Sequence, residues 1–319
     1  MNTVIFDSSS GDKIKLLDDP LVHVVCVEGE IERVKSLIQN KSSGGLFLSL
    51  NARHGLLAGI LVLVLAAFPA GYFWGIPWLS EVVVEQLPVR YDRDWGKTMS
   101  QVVVEENTIL TAESKAVTEF FKGFKNDQAP FEVDIKVIES DELNAFALPG
   151  GYIFVYSALL DSCKTVEELA ALLGHESGHT FMRHSTKAIS RALIGQAMLS
   201  LVLGSYEGLG DAALSRVNSI KELVYSRSLE TEADGHAVNF LESNGYSRAG
   251  LIKLFKTLQK AEKENNSDMV PSFLRTHPMT QDRIQFVKSY RGQKANSLRE
   301  KSIHQSHFEK IKSLRSSGF

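Results

Sequence analysis

The stretch ELAALLGHESGHTFMRH, residues 168–184, carries two histidines and a glutamate at a spacing suited to metal-assisted hydrolysis. On a helix His175 and His179 lie one turn apart on one face, so two imidazoles reach a single tetrahedral ion. Glu176, adjacent to the first, sits too close to chelate with both and is well placed to take a proton from an activated water. On these residues alone, two buried histidines in ordinary hydrogen bonds are an equal reading, and a third protein ligand separates the two. One is offered by YSRSLETEADGHAVNFLESNG, where Glu230 and Asp234 recur four apart on one helical face. Acids at this spacing repel unless one faces a cation and the other accepts an N–H from a metal-bound histidine. The alternative is a solvated acidic helix in which Glu222, Glu230 and Glu232 face water. His184, five residues after His179, and His236, six after Glu230, fall off the ligand-bearing faces and take no role. Arg227, three before Glu230, either pairs with it or is exposed. The two cysteines, Cys26 and Cys163, form no C-x-x-C pair, so any metal uses histidine and carboxylate.

These residues need rigid elements. Thr165 and Glu168 form a T-x-x-E capping box, which starts a long helix under HESGH, and Asn244-Gly245 ends the helix that carries the acids. Helical spacing in TILTAESKAVTEFFKGFKN is followed by period-two alternation in FEVDIKVIE, a strand. LNAFALPGGYIFVYSALL places a Pro-Gly-Gly turn between two strand-like runs, with a helix entering at Ser157. The apolar ALIGQAMLSLVLGSY, residues 192–206, is short for a membrane span and reads as a packed core helix. LLAGILVLVLAAFPAGYFW, residues 56–74, is uncharged and long enough to cross a bilayer, with Tyr72, Trp74 and Trp78 at its far end and Arg53 and His54 at its start. It begins too deep in the chain for a cleavable signal peptide. The domain reading is a small β-rich domain over 1–50, a transmembrane helix over 55–78, a catalytic domain over 95–290 and a basic tail over 291–319 that forms a solvated helix. The Lys/Arg bias ahead of the span places residues 1–50 inside and the catalytic domain outside, periplasmic if the membrane is a bacterial inner membrane. A net charge of −3 leaves no electrostatic footprint for nucleic acid.

HESGH followed by SRSLETEAD resembles the zinc metalloprotease family that includes the CAAX prenyl proteases and the bacterial membrane protease HtpX, over roughly residues 100–290. The resemblance implies one Zn2+ per chain held by His175, His179 and Glu230, with Asp234 supporting a ligating histidine and Glu176 as general base. LRTHPMTQDRI is similar to the family's T-H-P segment, which makes His277 an active-site residue, expected to stabilise the oxyanion, or else to fill the fourth metal position. Pro278 puts His277 at a loop-to-helix junction. LNAFALPGG is similar to the family's active-site edge strand, so Asn144, Ala145 and Phe146 are expected to pair with an extended substrate; an ordinary hairpin edge is the alternative. The implied fold is a zincin-like metalloprotease domain, mainly α with a small antiparallel β-sheet, beside one transmembrane helix and the small N-terminal β-rich domain. The implied function is a membrane-anchored zinc metalloendopeptidase acting on membrane-associated or misfolded proteins. Prenylated substrates are not expected, because the CAAX proteases enclose their site with several spans. Two other readings stay open: a membrane-tethered chaperone or binding module whose zinc site is closed by His277, and an N-terminal domain that senses a signal while the protease responds.

Overall fold

Helix α1, Ala52–Ala70, passes through a short π-helical turn, Gly71–Gly75, into helix α2, Ile76–Gln86. Pro69 and Pro77 lack the N–H a regular α-helix needs there, which accounts for the wider turn between them. The run Gly55–Gln86 is the one helix among the described residues long and apolar enough to cross a membrane, and Leu56, Leu61 and Leu63 along it are exposed. The computed structural model describes residues 4–7, 13–16, 23–25, 52–126, 129–203, 225–264, 272–278, 281–292 and 301–317. Contacts divide the chain into two units, Met1–Ala70 and Gly71–Phe319. The first holds α1 and three strands, β1 (Val4–Asp7), β2 (Lys13–Leu16) and β3 (His23–Val25), paired antiparallel in that order. The remainder of residues 1–50 lies outside the described residues.

The second unit is mainly helical. After α2 come α3 (Arg90–Glu106) and α4 (Thr111–Lys122), then strands β4 (Asp134–Ile138), β5 (Ala145–Ala147) and β6 (Tyr152–Tyr156). The expected hairpin is present: β5 and β6 run antiparallel, with Phe146 opposite Phe154, around a Pro149–Gly151 turn. Gly150, at φ 74°, is confined to glycine by space as well, since a Cβ there would stand 2.6 Å from Arg93 Cα. The sheet is mixed, however, and not wholly antiparallel: β4 pairs parallel with β6, in the order β4-β6-β5. Every residue of β6 is apolar or aromatic and buried, the composition of a central strand, so it takes the middle and leaves β5 at the edge.

Helices α5 (Ser157–Ser162), α6 (Val166–Phe181), α7 (His184–Leu203), α8 (Arg227–Ser243), α9 (Ala249–Glu264), α10 (Ser272–Thr276), α11 (Gln281–Ser289) and α12 (Lys301–Ser317) complete the unit. The core gathers around α6, whose Leu169, Leu172 and Leu173 pack with Ala237, Val238 and Leu241 of α8 and with Leu251, Phe255 and Leu258 of α9. Two expectations are corrected. The stretch expected to be a packed core helix is only half-buried over its described part, 192–203: it lies along α2, Arg191 just ahead of it pairs with Glu81 at 3.1 Å, and Leu199 and Leu201 are exposed, whereas the start of α7 is buried. Nor is the basic tail a solvated helix, because Phe308 and Ile311 of α12 are buried in the main core. His304 of the same helix stacks on Phe124 at 3.8 Å and accepts or donates at Tyr246 Oη, 2.9 Å away.

Candidate metal centre

Thr165 Oγ1 accepts the Glu168 N–H at 3.3 Å, so α6 opens on the expected Thr165 cap, while the Glu168 carboxylate accepts the N–H of Lys164 at 2.5 Å, one residue ahead of the one a capping box uses. The helix then runs through the interior, with His175, Glu176 and His179 all buried. Gly174 and Gly178, each one residue before a histidine, form the strip on which α8 lies. A Cβ on Gly178 would be 3.1 Å from His236 Cβ and 3.2 Å from Ala233 Cα, so the two helices approach as closely as glycine permits. That approach sets Glu230 and Asp234 of α8 against the two histidines.

Four side chains converge. His179 Nε2 lies 3.1 Å from His175 Nε2, and Glu230 offers its oxygens to both at 3.5 Å. His277 Nδ1 lies 3.3 Å from His175 Nε2 and 2.9 Å from Glu230 Oε1. Bonds of roughly 2.0–2.2 Å to a tetrahedral zinc place ligand atoms about 3.3 Å apart, so the separations fit such an ion. The chemistry of the donors fits too. Facing ring nitrogens need a proton or a cation between them, and both oxygens of the fully buried Glu176 have no hydrogen-bond partner. Nitrogen and carboxylate donors without thiolate are a set that zinc accepts.

Charge is arranged around the same point. Asp234 Oδ1 lies 3.1 Å from His175 Nδ1, and Arg283, buried on α11, donates to both Asp234 oxygens at 2.7 Å. Arg283 Nη1 also lies 2.7 Å from Glu230 Oε2. Burial opposes a proton on His175, yet Asp234 and Glu230 outweigh it and push the imidazole up to about 9. Burial likewise opposes the Glu230 carboxylate, and His277, His175 and His179 overcome this and hold it well below the usual range. Burial, aided by the neighbouring Glu230 charge, pushes Glu176 up. Without a metal the pocket therefore holds a proton where a cation fits.

The structure brings His175, His179, Glu230, Asp234, Glu176 and His277 to one place. His277 arrives differently from the expected loop-to-helix junction: it directly follows α10, its N–H bonded to Phe273 O at 2.8 Å. Asn144, Ala145 and Phe146 stand at the sheet edge, with β5 packed on α6. Phe273 N–H donates to Leu143 O at 2.9 Å and Ser185 Oγ donates to Ala147 O at 2.6 Å, which ties the edge strand to segments flanking the site.

Two participants escape a reading of the sequence. Arg283 stands six residues after His277 in the T-H-P segment, and the need of two buried acids for a counter-charge is its available signal. Tyr225 stacks on His179 at 4.0 Å and its hydroxyl meets Ser185 Oγ at 3.0 Å; nothing in its local spacing marks it. A third feature is backbone strain. Arg183, just past the end of α6, has φ 59°, a left-handed conformation costing a non-glycine residue about 1–2 kcal/mol. Its guanidinium holds the bend, with Nη1 donating to Val84 O at 2.6 Å and Leu87 O at 2.9 Å and Nη2 2.7 Å from Asp92 Oδ2.

The profile of Peptidase family M48 matches residues 110–291, which contain every one of these residues except those of α3 and the α2 terminus. The chain is 31% identical over 204 residues to Metalloprotease LoiP of Escherichia coli, covering 60% of this chain and 79% of that protein. It is 30% identical over 182 residues to Metalloprotease YcaL of the same organism, covering 54% of this chain and 68% of YcaL. To Mitochondrial metalloendopeptidase OMA1 of Saccharomyces cerevisiae it is 32% identical over 163 residues, half of this chain and 46% of that longer protein. A buried histidine-carboxylate centre on helices α6 and α8, within a matched segment covering more than half of the sequence, makes this chain a metalloprotease of peptidase family M48.

Proposed function

We propose that the protein is a membrane-anchored zinc endopeptidase in which His175, His179 and Glu230 hold one Zn2+ and Glu176 moves the proton. One observation carries this reading: the donor atoms of His175, His179 and Glu230 converge at tetrahedral spacing, with His277 among them, beside a buried carboxylate, Glu176, whose oxygens make no hydrogen bond. When bound, zinc supplies a Lewis acid that polarises a peptide carbonyl and acidifies water. Glu176 accepts the proton of the attacking water and returns it to the leaving amine, a task suited to a carboxyl whose affinity for protons burial has raised. Asp234 takes the Nδ1–H of His175, and Arg283 keeps both acids from repelling.

Substrate binding falls to the edge strand. Asn144 O accepts from Tyr156 N at 2.9 Å and Leu148 N donates to Tyr152 O at 2.8 Å, so the even-numbered residues face β6. By the alternation of an antiparallel pair, Ala145 then directs its N–H and C=O away from the sheet, where an extended peptide can add as a strand. Such a mode reads backbone and favours unfolded or loosely held chains. The apolar run Gly55–Gln86, and the exposed Leu199 and Leu201 on α7 beside α2, support a bilayer location and membrane-associated or misfolded substrates. The Lys/Arg bias supports an inner-membrane protein with residues 1–50 cytoplasmic and the protease domain periplasmic.

Zinc content and casein cleavage by the full chain in detergent test the proposal. About one zinc per chain and cleavage abolished by a chelator are expected; a zinc-loaded protein without cleavage overturns it.

A second reading of His277 is favoured by one observation. Its Nδ1 lies 3.3 Å from His175 Nε2 and 2.9 Å from Glu230 Oε1, and His277 belongs to the cluster whose donor atoms lie within 4.8 Å of one another, where a fourth ligand closes the site. In that reading this conformation is the latent form, and His277 must withdraw before a substrate binds.

A further inference from the structure

His184 lies outside the ligand set, yet it is fully buried and its ring reaches the metal centre from behind. On a continuous helix a residue five positions beyond His179 points away from it. Here α6 stops at Phe181, Arg183 takes its left-handed conformation, and α7 begins at His184. The bend swings the His184 ring back over His179, with Nδ1 3.0 Å from His179 Nδ1. On its other side His184 Nε2 lies 3.3 Å from Glu232 Oε2, on the same helix as Glu230 and with its side chain 50% exposed.

Only one arrangement of protons satisfies this row once His179 turns a bare Nε2 toward a metal. The His179 proton is then on Nδ1 and is donated to His184 Nδ1. That nitrogen must be bare, so the His184 proton is on Nε2 and is donated to Glu232. Each ring nitrogen then has one partner. We propose that His184, oriented by Glu232, is the positioning residue of His179: it decides which His179 nitrogen carries the proton and keeps Nε2 open to the ion. The inference rests on the zinc site proposed above. It gives the two ligating histidines unlike supports. His175 faces a buried carboxylate, Asp234, clamped by Arg283, whereas His179 faces a neutral imidazole that passes its own hydrogen bond to an acid at the surface. Tyr225, stacked on His179, holds the plane of the ring; His184 sets its tautomer.

The test uses the full chain in detergent, with Zn2+ affinity measured by competition against a chromophoric chelator and the melting temperature of the metal-free protein recorded alongside. His184→Phe keeps the ring's bulk and removes the acceptor; His184→Asn keeps an acceptor oxygen near the position of Nδ1. Affinity is expected to fall roughly ten- to a hundredfold in His184→Phe, to recover largely in His184→Asn, and to fall by a smaller factor in Glu232→Ala, while the metal-free melting temperatures stay together. In Co2+-substituted protein the hydrogen-bonded His179 ring N–H signal should persist in His184→Asn and vanish in His184→Phe. Parental affinity in a folded His184→Phe overturns the proposal, as does an equal loss in the Phe and Asn variants. Should His184→Phe fail to fold, Glu232→Ala decides, and an unchanged affinity there overturns it. A parent chain that binds no Zn2+ defeats the zinc reading itself, a result distinct from a parent that binds and variants that match it.

Discussion

Glu176 is buried with no hydrogen bond to either oxygen, only His277 Nε2 at 3.7 Å, the arrangement expected of a carboxyl whose partner is a reactant. Glu176→Gln is expected to abolish peptide cleavage and leave zinc bound, since the amide cannot accept the proton; chelator-sensitive zinc content measured with casein turnover checks this. The two acids of α8 should separate. Glu230→Ala removes a proposed ligand and should strip the metal. Asp234→Ala should weaken metal binding or activity roughly ten- to a hundredfold, and because Arg283 then loses its bidentate partner in the interior, stability should also fall by about 3–5 kcal/mol; a zinc titration and a denaturant melt read the two effects. For His277→Ala, a zinc-loaded enzyme slower by about 2.7–4 kcal/mol of barrier marks a group that stabilises the transition state, and a faster one marks a latch. The residues that meet at the site through helical spacing are legible because periodicity puts His175 with His179, and Glu230 with Asp234, on common faces, and Glu176 because it adjoins His175. Arg283 and Tyr225 are not, because their positions depend on how separate segments meet. His184 misleads for a different reason: the five-residue rule assumes a continuous helix, and Arg183 breaks it.

At the scale of elements, the contact of α6 with α8 decides the geometry of the centre. Gly178→Ala is expected to push α8 outward, lowering stability by about 1–3 kcal/mol and weakening zinc binding; a thermal melt and chelator competition check both, and a variant unchanged in each would show that α8 has slack. The glycine strip of GHESGH is visible in the sequence, but only the fold shows that it faces α8. Local signals elsewhere read true: the Thr165 cap, the Pro-Gly-Gly turn and the Asn244-Gly245 stop, where Gly245 has φ 74°. Strand order is not legible, since the alternation of β4 and the apolar run of β5 are each compatible with either side of β6 and direction is set by the path of the chain between β4 and β5. The same holds for α7 and α12. Composition alone suggests burial for residues 192–206 and solvation for α12, but the described part of the first stretch has α2 along one side and exposes Leu199 and Leu201, and α12 buries one stripe under a basic surface.

At the scale of the whole molecule, sealed inner-membrane vesicles of known orientation test the proposed topology: protease treatment from the cytoplasmic side should reach residues 1–50 and spare the catalytic domain, and the opposite pattern reverses it. Truncation after residue 300 tests the other end. Phe308 and Ile311 are buried in the core, and burying side chains of this kind contributes about 1.5–3 kcal/mol each. Their loss should therefore lower stability by about 3–6 kcal/mol, a large share of what a domain has, and a melting curve of the truncated chain measures it. Helix α12 also carries His304, which covers Phe124. This has a bearing on the order of synthesis. The HESGH helix is translated first, the acids of α8 after it, and α12, which helps to close the core behind them, later still. A chain still attached to the ribosome thus holds Glu176, the proposed proton acceptor, before α12 is there to pack against the core.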